Sequence, residues 1–151
     1  MSILEFFSRP SDADFDAVLR FIPLLQRLTP EQVVRWEGGE PAGHDIITMA
    51  YPVYDGTVDE LVQALYDHGF IQNFDWPSWD EAQEYVKRPE LVAGANLETC
   101  IKLLTTHVRT ERFCNGHLAE MITSGHILAV LNRIDELRET LHEFCIRDLI
   151  D

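Results

Sequence analysis

At 151 residues the chain fits one domain, residues 1–151, long enough to bury roughly 68–70% of its unfolded surface without metal or disulfide staples. Its longest apolar run, ILAVL at 127–131, falls far short of the ~20 residues of a membrane span, and its start, MSILEFFSRP, lacks the features of a secretory signal. A net charge of −14 with no Lys/Arg run excludes direct nucleic-acid and anionic-membrane binding, because the field repels phosphate. Three cysteines, Cys100, Cys114 and Cys145, with no C-x-x-C spacing fit a reducing cytoplasm better than a disulfide scaffold or a thiolate zinc site.

The first predicted element is a helix from Ser11 or Asp12 to about Leu28. Phe15, Val18, Leu19, Ile22, Leu25 and Leu28 recur at three- and four-residue steps. Pro23 lies inside that pattern and predicts a kink or break near Phe21. Thr29 followed by Pro30 opens a short helix, PEQVVRWE, which ends in the GGEPAG loop. Residues 45–54 form the one stretch expected to be extended: Ile47, Met49, Tyr51 and Val53 share a side, and Pro52 confines it to an edge. No partner strand is evident, so it reads as an arm across helices or half of a small hairpin.

Helical signals dominate from there. TVDELVQALYDHGF has a Thr57–Glu60 capping box and Gly69 as its stop. DWPSWDEAQEYVKRP starts either from Ser78 with Glu81 or from Asp75, and Pro89 ends it. Asn96 opens a helix with Leu97, Ile101, Leu104 and Val108 on one face, and NGHLAEMITSG gives a short helix up to Gly125. In the last helix Ile127, Val130, Ile134, Leu137, Leu141 and Phe144 step 3-4-3-4-3. That run is too short for a coiled coil, so its first half reads as core, and an exposed or dimer-forming second half is the minority reading. The expected fold is all-α or mostly α, a single-domain bundle of six to seven helices with one extended segment.

Cys114 and His117, three residues apart in a probable helix, are the main chemical candidates, with Arg112 beside them. As a nucleophile Cys114 would need an orienting third group, which spacing does not supply. As a zinc site the pair would need further ligands, and His107 and His126 are single residues on neighbouring helices. A di-iron centre is rejected, since Glu139–His142 is one Glu-x-x-His motif where two are needed. The favoured reading makes Cys114 a small apolar filler between helices, with His117 partly exposed. Phe74, Asp75, Trp76 and Trp79 are either core anchors at a helix junction, the favoured reading, or a ligand-binding groove. No metal and no cofactor are expected.

The segments AYPVY, FDWPSW and RFCNGHLAEMITSGHILAVLNRI resemble a family of uncharacterised bacterial proteins, a domain of unknown function. The resemblance rests on Tyr51, Pro52 and Tyr54; Phe74, Asp75, Trp76 and Trp79; and Arg112, Phe113, Gly116, Gly125, Ile127, Leu131 and Arg133. It covers roughly residues 36–137, implies a bacterial cytoplasmic origin and carries over no functional residue. The expected function is a non-enzymatic interaction or regulatory module that binds another protein or a second copy of itself. The alternatives are a Cys114/His117 enzyme or metal binder, and an acidic mimic that fills the basic groove of a DNA-binding protein.

Overall fold

The computed structural model describes residues 10–39 and 49–150, with side chains described through residue 141. The expected first helix is two: α1 (Asp12–Leu19) and α2 (Phe21–Arg27) meet at Arg20. Pro23 has no N–H for the carbonyl of Leu19, so one continuous helix would leave that acceptor unpaired. Ser11 caps α1 reciprocally: its hydroxyl accepts from the Asp14 backbone, and Asp14 accepts from the Ser11 backbone.

The helix expected over PEQVVRWE stops early. α3 (Pro30–Val33) is a single turn, and Val34–Glu37 leaves it as strand β1. Adjacent β-branched Val33 and Val34 followed by Trp36 favour the extended form once a partner strand is present. That partner is β2 (Tyr51–Tyr54), antiparallel, with Val34 opposite Tyr54 and Trp36 opposite Pro52. The extended arm is therefore half of a hairpin, and its expected residues 45–48 lie outside the described ones. Pro52 is tolerated because each strand of a two-stranded sheet is an edge.

α4 (Gly56–Asp67) is capped by Asp55, which accepts from the Thr57 backbone, rather than by the expected Thr57–Glu60 box. It ends at Gly69, whose φ of +80° lets the Phe70 N–H return to the Leu65 carbonyl. Neither Ser78 nor Asp75 caps α5 (Glu81–Lys87): Trp76–Ser78 forms a 3-10 turn of its own, and α5 starts behind Asp80. After a second 3-10 segment (Pro89–Gly94), Asn96 caps α6 (Leu97–Thr110) as expected. α7 (His117–Thr123) and α8 (His126–Ile150) complete the described chain. Among the described residues there are thus eight α-helices against the expected six or seven, the split at Arg20 supplying the extra one.

α6 is the hub, buried along most of its length between α7, α8 and the Trp76–Ser78 turn. α8 runs past α6 and also meets α1 and α2, and α4 closes the far side against α1 and α2. Ile127, Val130, Leu131 and Ile134 of α8 are fully buried, and Leu137 and Leu141 pack against the core at its margin. The apolar stripe of α8 is therefore intramolecular at least to Leu141; Phe144 lies outside the described side chains.

Candidate functional site

α6 ends at Thr110, and residues 111–116 turn back before α7 begins. The Phe113 and Cys114 N–H groups both donate to the Thr110 carbonyl, and Gly116 takes a φ of +92°. Cys114 thus stands on a turn, exposed, and is not filler between helices. The shared face expected of Cys114 and His117 does not exist, because the left-handed Gly116 separates them. Their link is through backbone, the His117 N–H donating to the Cys114 carbonyl at 3.1 Å. The buried thiol is Cys100, pushed up to about 12 by burial.

The His117 side chain turns to α6 instead, placing Nε2 2.9 Å from His107 Nδ1. His126, at the start of α8, completes a cluster, its ring edge-on to His107 with centroids 4.8 Å apart. The structure therefore gathers the three histidines that sequence spacing could not, and leaves Cys114 out. Among the described residues, no three His, Cys, Asp or Glu side chains are arranged to hold a metal ion. Burial lowers the His107 pKa to about 3, helped by His126 and His117. Burial also lowers His117 and His126, and Glu111 and Glu120 oppose the effect at His117.

Glu111 is the second organising residue of the turn. Its carboxylate accepts from the backbone of Gly116 and Leu118, satisfying N–H groups at the start of α7. It also accepts from the Tyr54 hydroxyl at 2.5 Å, and Tyr54 in turn accepts from the Ala119 backbone. One carboxylate and one phenol thereby tie β2 to α7. Burial, followed by the bond to Glu111, raises the Tyr54 pKa far above the usual phenol value, so the hydroxyl remains a donor.

Above this joint lies an open cleft of about 450 Å³, lined by Tyr51, Pro52, Tyr54, Tyr66, Arg112 and Asn115. Arg112, a sequence candidate, is exposed on its wall, with Nη2 3.5 Å from the Tyr66 hydroxyl. A smaller space next to it shares Tyr54, Tyr66, Val62, Val108 and Glu111. Tyr51 of the cleft wall is half exposed, and two further large apolar side chains stand in solvent on neighbouring backbone: Trp36 on β1 and Phe113, 80% exposed, on the turn. The Trp36 ring lies so close to Gly116 that a Cβ there would sit 2.7 Å from it.

Of the candidate groove residues, Phe74 and Trp79 meet edge-on with centroids 5.9 Å apart. The Lys102 ammonium stands 5.4 and 5.6 Å from these two rings, and is paired with buried Glu98 at 3.3 Å. Two of the four therefore face a cation from their own chain. Trp76 faces Phe113 across 6.0 Å, and Asp75 is exposed at the start of the 3-10 turn.

Tyr54 and Glu111 escaped sequence reasoning because 57 residues separate them, and no capping box places an acid six residues before the helix it serves. Among the described residues no helix is long and apolar enough to cross a membrane. Comparison with curated proteins and with solved structures gives no match. Residues 10–140 match the family described as "Family of unknown function (DUF6508)". Because that match spans most of the chain, the protein belongs to this family of unknown function.

Proposed function

We propose that this protein is a non-enzymatic interaction module that docks a protein partner at the tyrosine cleft. The observation that carries this reading is exposed aromatic surface: Tyr51 lines the cleft, and Trp36 and Phe113 stand in solvent on the strand and the turn next to its lining residues. Large aromatic side chains beside a pocket are the usual anchors of protein interfaces, and Arg112 adds the one cation lining the cleft. The polar groups beneath are committed to internal bonds, Glu111 and Tyr54 to each other and to α7.

A photo-crosslinking amino acid placed at position 36 or 113 in living cells tests this directly. Both positions should yield the same discrete adduct, and the same reagent at exposed Gln26 on α2 should yield none. Equal, diffuse labelling from all three positions would sink the reading. An adduct of two copies of this chain would identify the partner as self.

A Cys114 enzyme is the second reading, favoured by the exposure of that thiol. It requires a base that moves to Cys114 on substrate binding, since the His117 ring is held by His107.

A further inference from the structure

Three imidazoles meet where α6, α7 and α8 join, one from each helix. His107 and His126 are only 2% and 5% exposed. Among the described residues, His107 Nε2 and both ring nitrogens of His126 have no hydrogen-bond partner. The 2.9 Å contact between His107 and His117 needs one nitrogen to donate and the other to accept. It survives one proton on the pair, but a second sets two N–H donors against each other.

We propose that this junction is a proton-operated latch, which holds α7 against α6 and α8 while the rings are neutral and releases α7 when they take up protons. α7 is the element positioned to move. It has seven residues, too few to persist as a helix without tertiary support, and His117 is its first. The latch does not depend on what occupies the cleft.

The surroundings decide how protons enter. The carboxylates acting on the junction are Glu111, on the turn after α6, and Glu120 on α7, both of which favour a proton on His117. α6 also carries Arg109 two residues from His107, with its guanidinium directed to Asn73 and the Tyr66 ring. α3, packed on α7, has exposed Glu31 as its charged side chain, and the Trp76–Ser78 turn on α6 has none. α8 meets other charges farther along. Arg133 bonds the Ala95 carbonyl and Arg138 pairs with Asp16 and Asp12 of α1, about 10 and 18 Å along the axis from His126. α2 and the Pro89–Gly94 segment bring exposed Arg27 and Glu90. His117, half-buried beside two carboxylates, takes the first proton; the second, on His107 or His126, has no carboxylate among the groups acting on it.

The sign follows from burial. Each ring has a lower pKa folded than unfolded, so the neutral cluster contributes fully above the unfolded value of about 6.5 and loses that contribution as pH falls below it. With His107 held near 3, this residue alone raises the opening equilibrium on the order of twenty-fold between pH 7 and pH 5.

Hydrogen exchange on the whole chain tests the latch. Corrected for intrinsic exchange, α7 amide protection should fall on the order of twenty-fold from pH 7 to pH 5 while α4 holds its protection. The double variant His107→Phe, His126→Phe, which keeps ring volume without titrating nitrogens, should lose most of that slope. Wild-type α7 protection that is flat with pH, α4 loosening in step with α7, or an unchanged slope in the variant would each overturn the proposal. Should the variant fail to fold, imidazole resonances of the wild type decide. His107 and His126 staying neutral until α7 opens supports the latch, and ordinary titration near 6.5 with α7 intact contradicts it.

Discussion

A thiol at position 114 and one at position 100 look alike in sequence, yet the fold gives them opposite fates. Cys100 is sealed on the inner face of α6, and its thiolate is suppressed by burial. Cys114 stands on the turn, in solvent. Reaction with a small alkylating reagent at neutral pH, followed by peptide mapping, should therefore modify Cys114 at the rate of an unstructured peptide thiol and leave Cys100 intact. A Cys114 rate many times that of the free peptide would reveal an activated nucleophile and favour the enzymatic reading. The same scale explains the polar anchors. With three donors on its roughly four acceptor sites, the Glu111 carboxylate has little capacity left for a ligand.

At the scale of the element, α7 concentrates the argument. Its start is set by Gly116, which must adopt a left-handed φ and must leave room for the Trp36 ring. Gly116→Ala is expected to cost about 1–2 kcal/mol for backbone strain alone, with the displaced ring adding to it. Thermal unfolding of that variant should show the loss, and a stability equal to wild type would contradict the contact. Helices with a side-chain cap at a clear start, such as Ser11 and Asn96, were legible in sequence, as was the break that Pro23 imposes. Half of a hairpin at Tyr51–Tyr54 is one of two readings the sequence allows, but its partner strand was not legible, because each strand has four residues and Val34–Glu37 lies in the tail of a helical pattern. The turn after α6 misled for a related reason. α6 has already ended at Thr110, and the left-handed Gly116, which no spacing between Cys114 and His117 reveals, sets where α7 begins.

For the whole molecule, a mostly helical class could be read from apolar periodicity, since α4 and the first half of α8 each bury one apolar face and α6 is buried nearly all round. The candidate site could not. It joins residues 36, 51 and 54 of the hairpin to residues 111–119 around α7, and such long-range contacts leave no local spacing to find. Net charge also acts at this scale: at −14 the chain repels acidic surfaces at long range, so the proposed docking requires a partner with a neutral or basic face. The most direct measurement is calorimetric titration of the partner cross-linked through positions 36 and 113 against wild type and against the Trp36→Ala, Phe113→Ala variant. The account predicts affinity weakened by at least about thirty-fold, the loss of one interface hot spot of about 2 kcal/mol, in a variant whose circular dichroism shows the helical fold retained. Equal affinity for both proteins would contradict it.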